Sequence, residues 1–151
     1  MTLPIGEPLA HPTRLTHCLH VTSAAALPDI LRDGLEPRIG PLSVQAETRP
    51  GIFLFPSWAD LMDANWLFGE AWPHESEPAL LAVAVQGVEL EPEAGFEVVV
   101  RTAIEPSRLT VLAPGELDWD GARQRFLSLG GRDEPLSSQD IAAWLRAEDL
   151  L

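Results

Sequence analysis

The apolar positions of this chain fall into short runs, separated by prolines, glycines and acidic residues. Runs of this length that contain β-branched and aromatic residues are typical of strands. The pattern predicts strands at residues 15–21, 51–55, 79–85, 96–101 and 109–113. The run at 79–85 is rich in alanine and valine, as in a strand covered on both faces. Residues 88–90 are expected to extend a hairpin from it.

A short helix is predicted after the first strand. Thr22 or Ser23 is suited to cap its N-terminus, and Gly34 is suited to end it. Pro28 is compatible with a helix only in the first turn, so the regular helix is expected to be short. Further along, residues 104–109 predict a tight turn whose apolar ends anchor in the core.

Three more helices are predicted downstream. Ser57, followed three residues later by Asp60, resembles a capping box and predicts a helix that continues to Phe68. Residues 116–128 and 138–148 carry apolar residues at helical spacing and predict two helices near the C-terminus.

The order of these elements favours a mixed α+β domain. Most connections are too short for repeated crossovers between parallel strands, which disfavours a doubly wound sheet. A chain of 151 residues is long enough to bury one core. We expect an irregular arm at 1–14, a domain at 15–113, and a helical extension at 114–151 packed on that domain.

The charge of the chain limits its partners. Its formal net charge is −13, and all ten basic residues are arginines. Such a chain repels a phosphate backbone, so binding to DNA or RNA is disfavoured, as is a membrane surface bound through basic patches. We expect any bound nucleotide to be small and held by a local arginine. The polar loop at 36–50 offers Arg38 and Arg49, which are otherwise solvated loop charges.

The single cysteine, Cys18, excludes an internal disulfide and favours a reduced, cytoplasmic setting. Cys18 lies in an apolar strand pattern with no obvious activating cation nearby, so a buried structural thiol is favoured over a nucleophile. Neither a secretory signal nor an apolar stretch long enough to span a bilayer is visible. The histidines show no metal-ligand spacing with Cys18 or with carboxylates, and no metal site is expected.

Three segments each place one chemically distinctive side chain in or beside an apolar run. His20 lies in Leu-His-Val-Thr-Ser at 19–23, Phe53 in Gly-Ile-Phe-Leu-Phe at 51–55, and Glu97 in Phe-Glu-Val-Val-Val at 96–100. Taken singly, a strand histidine or phenylalanine is more often a core residue, and a strand glutamate is more often solvated. Their order along the chain is the stronger signal.

That order resembles the ADP-ribosyltransferase superfamily, in its histidine–aromatic–glutamate branch. The chain is similar there to poly(ADP-ribose) polymerases, to DNA-targeting ADP-ribosylating toxins and to RNA 2′-phosphotransferases. The resemblance covers about residues 15–113. Its motifs are the strand at 19–23, the helix end Ile-Leu-Arg-Asp-Gly-Leu at 30–35, the strands at 51–54 and 97–100, and Ile-Glu-Pro-Ser-Arg-Leu at 104–109.

The resemblance implies a split, mixed or antiparallel sheet with short flanking helices. It implies NAD as a substrate, whose nicotinamide–ribose bond is cleaved before ADP-ribose passes to an acceptor. Glu97 and His20 would be the catalytic pair, and Glu97 would stabilise positive charge on the ribose. Thr22 and Ser23 would help to bind NAD.

The resemblance also implies a stacking residue for the nicotinamide ring and a partner for the pyrophosphate. Phe53 is one candidate for stacking, and Trp66, in Ala-Asn-Trp at 64–66, is the other. Arg38 or Arg49 would meet the pyrophosphate.

Two departures from the family pattern keep other functions open. Phe53 lacks the hydroxyl of the tyrosine found in many members, and Val21 replaces a glycine. The first alternative is a non-catalytic module that keeps the fold and binds a nucleotide or a protein. The second is an RNA 2′-phosphotransferase-like enzyme, which the net charge disfavours.

Overall fold

The computed structural model describes residues 15–37, 51–64, 77–92, 98–115 and 118–135. These residues form an α+β structure with two antiparallel sheets of three strands and a few short helices. The α+β class expected from the sequence is confirmed. The predicted arm at 1–14 and the predicted helix at 138–148 lie outside the described residues.

The first sheet has the order β1-β3-β6. Strand β1 spans His17–Ser23, β3 spans Pro78–Ala84 and β6 spans Leu109–Ala113. In the register of the central pair, His20 lies opposite Leu81. Strand β3 is buried along most of its length, as its run of alanine and valine predicted.

The second sheet has the order β2-β5-β4. Strand β2 spans Ile52–Leu54, β5 spans Val98–Val100 and β4 spans Glu91–Pro92. The prediction that residues 88–90 extend a hairpin from β3 is wrong. The chain turns at Gly87, where φ is 81°, and pairs with β5 instead, with Glu91 opposite Val99.

A single bridge joins the two sheets. The amide of Leu19 donates to the carbonyl of Phe55 at 2.8 Å, and the amide of Phe55 donates to the carbonyl of Leu19 at 2.8 Å. The bridge sets β1 beside the chain that continues β2. Across the described residues, the strands therefore follow the order β4-β5-β2-β1-β3-β6.

Helix α1, at Leu27–Asp33, has the local signals that the sequence predicted. The Ser23 hydroxyl accepts from the Ala26 amide and caps a 3-10 turn that leads into the helix. Pro28 lies in the first turn and Gly34 ends the helix with a φ of 90°. A side chain at Gly34 would collide with the carbonyl of Ile104, so glycine is required there.

Helix α2, at Trp58–Asp63, begins where the sequence predicted. The Ser57 hydroxyl accepts from the Asp60 amide, as a capping box requires, Ala64 is the C-cap, and the rest of the predicted span, 65–68, lies outside the described residues. Aspartate and asparagine are weak helix formers because their side chains compete for backbone groups, and Asp63 and Asn65 flank this end. Helix α3 spans Trp119–Ser128, within the predicted 116–128.

Two main groups of buried side chains cover opposite faces of the strands. One lies between the sheets and includes Cys18, Ile52 and Val100. The other lies under α2 and α3 and includes Leu19 and Phe126. The described part of the C-terminal extension thus packs on the first sheet. Among the helices described, none has the length and apolar character of a membrane-spanning segment.

Candidate functional site

The backbone pairing between β1 and β2 does not continue to the residues two positions beyond the Leu19–Phe55 bridge. Backbone hydrogen bonds of an antiparallel pair recur at every second residue, so the Leu19–Phe55 bridge predicts a second bonded pair at Val21 and Phe53. That pair is not formed, because the bridge is isolated. Among the described residues, backbone pairing between the two sheets stops at this point, and we call the part of the β1–β2 junction at Val21 and Phe53 the split.

The His20 side chain occupies the place where the ladder would continue. Its Nδ1 lies 3.1 Å from the carbonyl oxygen of Phe53. A carbonyl oxygen only accepts, so Nδ1 carries the hydrogen and donates it. In the neutral ring Nε2 is then an acceptor. The contact fixes the tautomer of His20 and satisfies a carbonyl that Val21 would otherwise have satisfied.

The main chain of Val21 is directed toward the split. Leu19 bonds across the bridge and Ala24 bonds to Glu77 of the β3 side, so alternation turns the Val21 amide and carbonyl away from β3. Within the described residues, no group pairs with either one. One donor and one acceptor on a single residue therefore border the split.

Phe53 borders the split from the other side. It is partly exposed and does not belong to the core clusters of the described residues. Alternation puts Phe53 on the face of Val21 and Phe55. Helices α2 and α3 cover this face at Leu19 and Phe55. A partly exposed aromatic ring next to backbone groups that have no partner in the described part of the chain suits the binding of a flat polar ring.

The other predicted site residues of β1 lie beside His20. Thr22 is partly buried and shares the face of His20, since the two are separated by one residue. Ser23 is buried, and its hydroxyl accepts from the Ala26 amide at 3.2 Å. The structure therefore gives Ser23 a capping role that occupies one of the two lone pairs of its hydroxyl.

Four predicted site residues lie outside the described residues. They are Glu97, Trp66, Arg38 and Arg49. Of the catalytic pair, the structure describes His20, and the role of Glu97 stays a prediction. Strand β5 begins at the next residue, Val98, opposite Leu54.

Arg101 is a residue that the sequence reasoning missed. It follows β5, and its Nε donates to Glu91 Oε1 at 3.2 Å. A Cβ added at Gly51 would lie 2.8 Å from Arg101 Nη1, so the guanidinium covers this glycine. The sequence signal was an arginine that ends an apolar strand, but its position over Gly51 depends on the pairing of β2 with β5.

The Cys18 thiol and the Asp60 carboxyl are both buried in the core. Cys18 is fully buried, and burial raises its pKa to about 12, with the charge of Asp60 as a second cause. The Ser57 hydroxyl donates to Asp60 Oδ2 at 2.6 Å. Burial raises the pKa of Asp60, although the bond from Ser57 opposes the shift. The interpretation of Cys18 as a buried structural thiol is confirmed.

The described part of the chain contains no group of three histidine, cysteine or acidic side chains placed to hold a metal ion. No protein-family model matches the chain, and no curated protein matches it at a significant level.

Proposed function

We propose that this chain is an NAD-dependent ADP-ribosyltransferase-like enzyme, which cleaves the nicotinamide–ribose bond and transfers ADP-ribose to an acceptor. The main support is the split, where the His20 imidazole donates a hydrogen bond to the Phe53 carbonyl and the Val21 main chain is directed away from β3. A carboxamide such as that of nicotinamide carries one acceptor and one amino donor. The amide and carbonyl of Val21 are the complementary pair.

The roles of the residues follow from this placement. Phe53, partly exposed on the face of Val21, would stack on the nicotinamide ring, with Trp66 as the other candidate. His20 Nε2 would accept a hydrogen bond from a ribose hydroxyl, because Nδ1 donates to Phe53. Thr22 would assist His20 in orienting the dinucleotide.

Glu97 has the role that the chemistry most needs. Departure of neutral nicotinamide leaves positive charge on the ribose, and a fixed carboxylate lowers the energy of that charge. The proposal requires the Glu97 carboxylate on the face that carries Phe53 and Val99, from which it would also orient the acceptor. The net charge of −13 favours an acceptor other than a nucleic acid, and a cytoplasmic setting remains part of the proposal.

The test is the release of nicotinamide from NAD by wild-type protein and by two matched variants. Glu97→Gln removes the proposed carboxylate, and we expect turnover to fall by about 100-fold or more, as for loss of a transition-state charge partner. Glu105→Gln is the control, because the Glu105 side chain is exposed and lies in a surface ion pair with Arg108. Equal turnover by wild type and Glu97→Gln would remove Glu97 from the mechanism.

A non-catalytic binding module is the second candidate. It is favoured by the missing hydroxyl at Phe53 and by the Val21 side chain, which packs against the cluster under α2 and α3. Thermal unfolding with NAD and with ADP-ribose separates the candidates, since a ligand that binds the folded state raises the melting temperature by mass action. Stabilisation without nicotinamide release identifies the module, and release identifies the enzyme.

A further inference from the structure

Residues 130–135, which follow α3, run back across the start of α2. The carbonyl of Arg132 accepts from the Trp58 amide at 2.9 Å, and the carbonyl of Asp133 accepts from the Ala59 amide at 3.0 Å. The two segments also form an isolated parallel bridge. We call residues 130–135 the strap.

The two glycines that begin the strap shape its path. Gly130 has a φ of 107°, a conformation that other residues rarely adopt. Gly131 lies against the ring of Phe126, and a Cβ at this position would collide with the ring. The Thr16 hydroxyl donates to the Gly130 carbonyl at 2.8 Å. The glycine pair therefore turns the chain out of α3 and over the buried Phe126 ring toward α2.

The strap is attached to the domain by polar contacts. Its sequence, Gly-Gly-Arg-Asp-Glu-Pro, has no large apolar side chain and adds nothing to the core clusters of the described residues. One ion pair joins it to α3, where Asp133 accepts from Arg123 at 2.6 and 3.0 Å. These two side chains are 39% and 44% exposed, so the pair adds little stability. Segments with few buried apolar contacts are the ones that open locally.

Hydrogen bonds within the strap hold its own residues together. The Arg132 guanidinium donates to the carbonyl of Glu134 at 2.6 Å and to the carbonyl of Pro135 at 3.3 Å. Because these bonds do not involve the rest of the domain, they can persist when the strap leaves α2. The segment is therefore built to move as one piece.

The first amides of α2 depend on the strap. Amides at a helix N-terminus have no partner within the helix, and the strap carbonyls pair with those of Trp58 and Ala59. The next amide, that of Asp60, is paired inside α2 by the Ser57 hydroxyl at 3.0 Å. Exchange of the Trp58 and Ala59 amides therefore reports on the strap, whereas exchange of the Asp60 amide reports on α2 itself.

We propose that the strap opens and closes on the start of α2 as one unit, with Gly130 as its hinge, while α2 and both sheets stay folded. The opening makes the attachment between the C-terminal part of the chain and α2 reversible. It is independent of the proposed NAD chemistry, because it requires neither the split nor Glu97.

Amide hydrogen exchange of the full chain, followed by NMR in low urea, tests this opening. We expect the Trp58 and Ala59 amides to share one protection factor, at least about tenfold below those of Asp60 and Leu19. Their exchange should also depend less on urea than that of Leu19, since a local opening exposes less surface. Equal protection of all four amides would show that the strap opens only with the whole domain. An Asp60 amide that exchanges as fast as that of Trp58 would show that α2 itself unwinds. Either result overturns the proposal.

Two matched variants separate the strap from a general effect of charge. Asp133→Asn weakens the pair with Arg123 and keeps the backbone carbonyl of residue 133. The two strap-bonded amides of α2 should then exchange about two- to fivefold faster, as for loss of an exposed ion pair, with Leu19 unchanged. Asp33→Asn removes an exposed carboxylate from its pair with Arg32 on α1 and should alter none of these rates. No change in the first variant, or an equal change in the second, overturns the proposal.

Discussion

The two ends of the junction between the sheets differ in what satisfies their backbone groups. At the closed end, Leu19 and Phe55 exchange two hydrogen bonds, and side chains of α2 and α3 cover them. At the open end, Val21 and Phe53 form no pair, and His20 takes the Phe53 carbonyl. The open end gives up two ladder hydrogen bonds, each worth about 1 kcal/mol, and recovers one of them through the imidazole.

The two ends of the junction therefore differ in role: the closed end contributes packing to stability, and the open end presents backbone groups for binding. Buried backbone groups are almost always paired, so the Val21 amide and carbonyl, which have no partner among the described residues, are suited to pair with a ligand. The closed end supplies the packing that holds β1 and β2 together while the strands diverge. A binding site can then be open without loosening the whole domain.

The largest difference between the two ends is expected when one phenylalanine at each end is replaced by alanine and the free energy of unfolding is measured. Phe126→Ala empties a fully buried position of the closed end and is expected to lower the free energy of unfolding by about 3–5 kcal/mol. Phe53→Ala removes a partly exposed ring and should cost about 1 kcal/mol, since only part of its surface leaves water. Urea unfolding measures both. Equal losses would show that the open end carries as much packing as the closed end.

Replacing His20 with alanine tests whether the imidazole keeps the Val21 amide from bonding to the Phe53 carbonyl. In wild type we expect the Val21 amide to exchange with solvent more than about tenfold faster than the Leu19 amide, which is bonded to Phe55. In His20→Ala the Phe53 carbonyl becomes available to Val21, and the two exchange rates should approach each other. Amide hydrogen exchange followed by NMR gives both rates. A Val21 amide as slow as that of Leu19 in wild type contradicts the split.

The closed end should also show a pH dependence that arises from Asp60 of α2. The pKa of Asp60 is raised in the folded state, so the folded protein holds this proton more tightly than the unfolded chain. The stabilisation is present at low pH and is lost as pH rises from the ordinary aspartate pKa through the raised one.

The matched variant is Asp60→Asn, whose amide oxygen can still accept from Ser57. The melting temperature of the variant relative to wild type should rise between about pH 4 and pH 7, because only wild type must bury a charge. A difference that stays constant over this range would show that Asp60 titrates as an exposed carboxyl does.

The smallest effect is expected at Cys18. Its thiol is fully buried and its pKa is raised to about 12, so little thiolate is present at mild pH. An aromatic disulfide reagent at about pH 8 should leave folded protein unmodified and modify Cys18 fully in denaturant. Rapid modification of the folded protein would place the thiol near a solvent path and argue against a closed core.

Local signals were read from the sequence with good accuracy. Ser57 caps α2 as predicted, Pro28 lies in a first turn and Gly34 ends α1, whereas Ser23 caps the 3-10 turn before α1 and not the helix itself. Each of these features depends on hydrogen bonds and sterics within about four residues, so the sequence neighbourhood contains the information. Helix α2 spans Trp58–Asp63, and the predicted continuation at 65–68 lies outside the described residues.

The hydrophobic pattern of the sequence did not predict which distant segments pair with each other. Residues 88–90 were expected to extend a hairpin from β3, but the chain pairs at Glu91–Pro92 with β5 instead, because a short segment can pair with any free strand edge of suitable register. Arg101 was overlooked because its neighbour Gly51 is remote in sequence. The His20–Phe53 contact joins residues 33 apart, so its hydrogen-bond partner was not predicted.

The sequence by itself determined the α+β class, most strand and helix positions, the burial of Cys18 and the choice of His20 and Phe53 as candidates. Only the tertiary structure decided that, among the described residues, the two sheets meet at one bridge, that the imidazole binds the Phe53 carbonyl, and that the Arg101 guanidinium lies against Gly51. The physical reason is that side-chain periodicity is set by neighbouring residues, whereas strand order and register are set by which distant surfaces bury each other.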